Sequence, residues 1–110
     1  MELWRQQALF VVHVCQLIDY IFKQGYFCTF GEAFIDESNI IFRHRLDDSH
    51  CKRMAIDLNL IAPTGELLLD KKDYEDLGRF WETLDPENRW GNTETCSAIN
   101  HFERQEIIIH

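Results

Sequence analysis

The residues best suited to metal chemistry are His50 and Asp57, seven positions apart in the middle of the chain. Asp57 lies in the alternating run 54–60, whose apolar members share one face of a predicted strand. A buried acid in such a strand is costly unless it has a partner. Seven extended residues span roughly 23 Å, so the chain must turn near 52–53 if both side chains are to contact the same partner. Two interpretations stay open: a pair of zinc ligands, or a buried Asp57 bonded to backbone with His50 on a loop.

Length and composition limit the class of protein. A chain of 110 residues with 45% apolar and 13% aromatic residues predicts one packed domain, residues 1–110, rather than a disordered chain. The formal net charge of −8 makes a nucleic acid an unfavourable partner, since its phosphates would be repelled. No phosphate-binding glycine-rich loop and no internal repeat is present in the sequence.

Cysteine usage and targeting signals predict a cytoplasmic protein, or one in the host cytoplasm if a phage encodes it. The four cysteines lack the close spacing of a zinc knuckle, and without a secretory signal we expect reduced thiols. The apolar run 8–15 is preceded by no basic segment and followed by no cleavage site, which argues against a signal peptide. The run is also too short to span a membrane, so no membrane insertion is expected.

The hydrophobic periodicity predicts an α+β fold: a small antiparallel sheet with flanking helices. The predicted elements are a helix over 3–23, a strand over 26–34, a polar connection over 35–49 with one helical turn near 40–42, a central strand over 54–61, a turn at 63–65, a short hairpin strand over 66–69, a second helix capped by Asp73, a loop over 89–92 and a last strand over 101–109. Alternation in the last strand places His101 and Glu103 on one face. Gln6 and His13 are assigned to the exposed or semi-exposed side of the first helix, His13 at the surface or its boundary, and Trp4, Trp81 and Trp90 to the core or to a cleft wall.

Several segments together resemble one enzyme family. They are Phe30–Phe34, Ser49–His50, Asp57–Leu60, Tyr74–Glu82, Asn88–Gly91 and Asn100–Glu103. Their pattern resembles that of the zinc D,D-carboxypeptidases and L-alanyl-D-glutamate endopeptidases, which include VanX/VanY-type enzymes and many phage endolysins. The resemblance covers roughly residues 4–106, and its most specific part is a histidine separated by six residues from an aspartate, with a distant Asn-His-Phe-Glu run.

The resemblance implies a single zinc-peptidase-like domain with a hedgehog/DD-peptidase-like fold. It implies that His50, Asp57 and His101 coordinate Zn²⁺ and leave one position open for water, as catalytic zinc sites do. The implied activity is hydrolysis of the peptidoglycan stem peptide, as in D-alanyl-D-alanine carboxypeptidases and endolysins that degrade the cell wall. A cytoplasmic enzyme of this kind would need a separate membrane-permeabilising protein, a holin, to reach that substrate. Glu103 is expected either to orient His101 as an outer acceptor or to form a surface salt bridge.

Two positions depart from the family pattern. Ala98 stands three residues before His101, where the family has the acidic general base, and Ile35 stands where an arginine usually faces the substrate. General-base help is typically worth about 10²–10⁴-fold in rate, so the chain as given is expected to cleave slowly or not at all. Three interpretations follow: a zinc-dependent peptidoglycan peptidase whose base was replaced, a natural metal-binding pseudoenzyme that binds a peptide or protein, and an acidic interaction module with a vestigial metal site.

Overall fold

The structure, a computed structural model, describes residues 1–31, 53–91 and 99–108. Two helices and four strands follow one another in this part of the chain: α1 (Leu3–Lys23), β1 (Phe27–Phe30), β2 (Ala55–Ile61), α2 (Lys71–Leu84), β3 (Asn88–Trp90) and β4 (His101–Arg104). The strands form one antiparallel sheet in the order β1-β2-β4-β3. The predicted α+β class with a small antiparallel sheet is therefore confirmed.

The hydrophobic core lies between one face of the sheet and the two helices. Four alternate residues are buried in it, as the alternation predicted: Met54, just before β2, and Ile56, Leu58 and Leu60 within the strand. The inward faces of both helices and one residue of β4 complete the core with Phe10, Val14, Leu17, Ile21, Tyr74, Leu77, Trp81 and Phe102. Because strand side chains alternate, the residues between these, Asp57 among them, lie on the opposite face of the sheet.

Two polar residues of α1 are buried, contrary to the sequence-based assignment. Gln6 is fully buried because its amide joins the helix to the C-terminal segment: it donates to the carbonyl of Ile107 at 3.0 Å and accepts from its N–H at 2.7 Å. His13 lies against Asn88, with the two side-chain nitrogens 3.5 Å apart. Burial lowers the pKa of His13, with the nearby Asp85 carboxylate opposing that effect.

Elements after β2 depart from the predictions in detail. The turn after the strand is present, but Leu67 makes a single bridge to Ile61 in place of the predicted hairpin strand. The second helix begins earlier, with Asp70 as N-cap, so the assignment of Asp73 as the cap was wrong. The predicted loop over 89–92 was also wrong in part, because Asn88–Trp90 form the edge strand β3. The last strand is shorter than predicted, and the connection over 35–49 lies outside the described residues.

Gly78 lets the edge strand pack against α2. A Cβ atom at this position would lie 2.1 Å from Cδ2 and 2.3 Å from Cε3 of Trp90. The indole of Trp90 cannot simply move away, because its Nε1–H donates to the carbonyl of Ile99 at 2.6 Å. The glycine therefore fixes how closely α2 and β3 approach.

We expect Gly78→Ala to destabilise the fold, although alanine is ordinarily the better helix former by about 1 kcal/mol. Overpacking of this kind typically costs about 1–3 kcal/mol, and the free energy of unfolding from urea titration measures it. In a Trp90→Ala background the clash is absent, so there the same substitution should stabilise the protein. An equal effect of Gly78→Ala in both backgrounds would show that Trp90 is not the cause.

No helix in the described part of the chain is both long and apolar enough to cross a lipid bilayer.

Candidate functional site

The pairing of β2 with β4 brings Asp57 and His101 together. In the antiparallel register the two residues are direct cross-strand partners, 44 positions apart in the chain. Their side chains lie on the face of the sheet opposite the helices, and Nδ1 of His101 is 3.0 Å from Oδ1 of Asp57. The imidazole is only 3% exposed and the carboxylate is 15% exposed, so water screens their interaction weakly.

Glu103 contacts the other nitrogen of the same imidazole. It follows His101 by two positions and so lies on the same face of β4, as predicted, with Oε1 2.7 Å from Nε2 of His101. The ring is therefore held between two carboxylates. A neutral imidazole has a single N–H. Both contacts are hydrogen bonds only if the ring is protonated; in a neutral ring one nitrogen has a lone pair in place of the proton, and such a nitrogen can bind a metal ion.

The core side of the sheet fixes the backbone that carries His101 and Glu103. Trp81 of α2 is fully buried, and its Nε1–H lies within bonding distance of two carbonyls, Glu103 O at 3.0 Å and Arg89 O at 3.2 Å. These carbonyls belong to the two paired strands β4 and β3. Phe102, between the two site residues, packs edge-on against the Trp81 ring at 6.0 Å between centroids. One aromatic side chain thus anchors both strands beneath the site.

A chain of amide and hydroxyl groups extends the polar face toward β1. The side-chain amide of Asn100 donates to Oδ1 of Asn59 at 3.0 Å, and the amide of Asn59 donates to Oγ1 of Thr29 at 3.4 Å. The predictions from sequence did not include these three residues as site residues. A signal was present for Asn59, which falls two positions after Asp57 and hence on the same face of β2.

Gly31 packs directly against Asp57. Its N–H donates to the carbonyl of Asp57 at 2.7 Å, and a Cβ atom on Gly31 would lie 3.0 Å from the Cβ of Asp57. A larger residue would therefore press on the backbone and side chain that present the carboxylate. The sequence-based predictions did not assign this role to Gly31. An isolated glycine at the end of a strand pattern signals such a close approach of backbone.

Three of the residues singled out from sequence lie outside the described ranges: His50, a predicted zinc ligand; Ala98, the position of the missing base; and Ile35, the position of the missing arginine. The structure brings together the other three, Asp57, His101 and Glu103. Within residues 1–31, 53–91 and 99–108, no group of three histidine, cysteine or acidic side chains is arranged to hold a metal ion. The ligand assignment of His50 stays a prediction.

Comparison with known proteins assigns no family to the chain. No protein-family model matches it, and no curated protein matches it. The resemblance to zinc peptidases stays a prediction from the sequence. The structural observation that bears on it is the contact between Asp57 and His101, two of the predicted zinc ligands.

Proposed function

We propose that this chain is a zinc-binding domain of the peptidoglycan-peptidase type, with Asp57, His101 and His50 as the metal ligands. The observation that supports the proposal is the Asp57–His101 contact, in which a carboxylate oxygen and an imidazole nitrogen meet at 3.0 Å on adjacent strands. These two donor types are common zinc ligands in proteins.

The donor geometry fits a shared zinc ion. Zinc bonds of about 2.0–2.1 Å in a tetrahedral arrangement separate two ligand atoms by roughly 3.3 Å, a few tenths of an ångström more than the present distance. Glu103 supports the same assignment, because an acceptor 2.7 Å from Nε2 holds the ring proton there and leaves the Nδ1 lone pair for a metal. A carboxylate behind a ligand histidine in this way also fixes the orientation of the ring.

A bound zinc ion would supply a Lewis acid and a water molecule of lowered pKa, the chemistry needed to hydrolyse a peptide bond. The residues of the chain would hold the ion, with Asp57 contributing negative charge and Glu103 orienting His101. Ala98 can neither accept nor return a proton. The function proposed is thus that of a zinc-dependent peptidase of the peptidoglycan stem peptide whose cleavage is slow or absent with Ala98 in place.

The same proposal includes the cellular setting. A substrate in the cell wall lies outside the membrane, and no helix of the described residues could span that membrane. If the protein accumulates in the cytoplasm, as the sequence predicts, a holin-type partner would give it access to peptidoglycan. Secretion of the unmodified chain by an expressing bacterium, without lysis, would contradict this part of the proposal.

Zinc binding is the first test. Protein purified without chelator should hold about one Zn²⁺ per chain by mass spectrometric metal analysis, and Asp57→Asn should lower the affinity by at least about 100-fold, because a neutral amide is a poor zinc ligand. His50→Ala should have the same effect. Zinc should also raise the thermal midpoint of the unmodified protein, since binding to the native state alone adds to its stability.

Asp70→Asn is the matched control, because it makes the same change at an exposed carboxylate that forms no side-chain cap at the start of α2. This variant should bind zinc as the unmodified protein does. Stoichiometric zinc in both Asp57→Asn and His50→Ala would contradict the ligand assignment.

A second function, that of a natural metal-binding pseudoenzyme, is favoured by one specific observation. The two positions that depart from the family pattern have Ala98 in place of the acidic base and Ile35 in place of an arginine that faces the substrate. All three proposed metal ligands are retained. A protein of this kind would keep the metal for its fold and use the surface to bind a peptide or protein. Restoring the acid at position 98 distinguishes the two functions.

A further inference from the structure

Helix α1 has a second apolar face that points away from the core. Its members follow one another at alternating intervals of four and three residues and are called the outer stripe: Trp4, Ala8, Val11, Cys15, Ile18 and Phe22. Trp4 is 57% exposed, Val11 58% and Phe22 48%, whereas Ile18, at the edge of this face, is partly buried and packs against the core. Alternating four- and three-residue intervals are the pattern by which two helices pack along a shared seam.

We propose that the outer stripe is a dimer interface, in which α1 packs antiparallel against α1 of a second copy of this chain. Packed in this direction about a two-fold axis near residues 12–13, each member of the stripe meets another member. Trp4 lies opposite Phe22 of the second copy, Ala8 opposite Ile18 and Val11 opposite Cys15. An interface of this type is self-complementary, as a two-fold dimer requires.

Charge complementarity supports the antiparallel direction. Arg5 and Asp19 flank the stripe on the same side, 14 residues apart, which is close to four full turns of helix. The two-fold axis places Arg5 of each copy beside Asp19 of the other, so two ion pairs form. A parallel two-fold pair would instead put this flank of the two helices on opposite sides of the seam, where neither ion pair could form. Asp19 also contacts Lys23 at 2.8 Å, which holds its carboxylate near the end of the helix.

The exposed area is sufficient for a weak dimer. Full burial of a valine or phenylalanine side chain removes about 60–120 Å² of apolar surface from water, the area that corresponds to its transfer free energy at about 25 cal/mol per Å². A tryptophan side chain loses more. Scaled by their exposed fractions, the side chains of the stripe and Val12 then offer about 300–400 Å² in each copy, or about 600–800 Å² in the pair, which is the size of a weak, transient interface. We therefore expect a dissociation constant on the order of 10 µM.

A second copy fits this face better than a membrane does. The chain carries a net charge of −8, which opposes its approach to an anionic lipid surface. The helix itself carries two basic residues, Arg5 and Lys23, and one acidic residue, Asp19. The acidic surface of the chain is therefore elsewhere, and two copies can bring their α1 helices together without strong repulsion between the faces that meet.

Sedimentation velocity of the full chain, with a reducing agent to exclude disulfides, tests the proposal. Between about 1 and 200 µM, a range that brackets the expected dissociation constant, the unmodified protein should pass from monomer to dimer. Val11→Glu should raise the dissociation constant at least about 30-fold, because two unpaired charges would be buried in each dimer. Gln16→Glu introduces the same residue on an exposed part of α1 outside the stripe and should dimerise normally.

A charge exchange tests the direction of packing. Arg5→Asp and Asp19→Arg should each weaken the dimer by about 3- to 30-fold, since each removes two exposed ion pairs and creates like-charge contacts. The double variant should recover most of the original affinity. A monomer at every concentration, or a dimer that Val11→Glu leaves intact, would overturn the proposal. Binding of the monomer to phosphatidylglycerol vesicles, lost in Val11→Glu, would assign the face to lipid instead.

Discussion

Replacing Ala98 with aspartate should raise the rate of peptidoglycan cleavage about 100-fold or more, the usual contribution of a general base. The substitution supplies a carboxylate at the position where the resembling family has its base, three residues before the proposed ligand His101. The proposed ligands are unchanged, so the metal content should be the same. The assay is the release of free amines from purified peptidoglycan, with both proteins at equal zinc occupancy.

Ala98→Asn is the control, because the amide has the size of aspartate but does not accept a proton at neutral pH; it should stay as slow as the unmodified protein. Robust cleavage by the Ala98 form would mean that another group is the base, and Glu94 and Glu103 are the acidic residues nearest to position 98 in sequence. Glu103 already contacts His101 at 2.7 Å. No cleavage in either form, with zinc bound in both, would support the pseudoenzyme and point to Ile35.

Replacing Trp81 with alanine should destabilise the fold by about 3–5 kcal/mol, the cost expected for removing a fully buried large aromatic side chain. Trp81 is fully buried and packs edge-on against Phe10 and Phe102, with ring centroids 5.7 and 6.0 Å away. Its Nε1–H also serves the carbonyls of Arg89 and Glu103, which would lose this donor. Urea unfolding followed by circular dichroism measures the change.

Trp4→Ala is the matched control for this prediction, because Trp4 is exposed on α1 and its indole contacts the neighbouring Arg5 and Glu2. Measured at a protein concentration too low for dimers, it should change the free energy of unfolding by less than about 0.5 kcal/mol. Trp81→Phe separates the two contributions of Trp81, since it keeps most of the volume and removes the donor. A loss in Trp81→Ala no larger than in Trp4→Ala would contradict the anchoring role.

Local pattern was sufficient to predict the elements with the strongest periodicity. The alternation of Met54, Ile56, Leu58 and Leu60 predicted both β2 and its buried face, because neighbouring side chains of a strand point to opposite sides. The 21 residues of α1 were predicted with their observed bounds for a similar reason. The prediction that His101 and Glu103 share a face also needed only the two-residue period.

Features that depend on partners distant in sequence were not predicted. Gln6 and His13 are polar, and local pattern assigned them to solvent. Their burial depends on Ile107 and Asn88, which satisfy their polar atoms from far along the chain. The three residues of β3 are too few to show a period, and their strand exists because β4 pairs with them.

In the candidate site, too, local sequence predicted some features and contacts between distant residues set the others. From the sequence we could select the residues whose types suit a metal site and, through the strand period, place Asp57 on the polar face of β2. The contact between Asp57 and His101 depends on the tertiary fold, because the register between β2 and β4 is fixed where the cross-strand partners Ile56 and Phe102 are both buried in the core. A shift of one residue in that register would move the histidine to the opposite face, and no local pattern in either strand specifies the pairing.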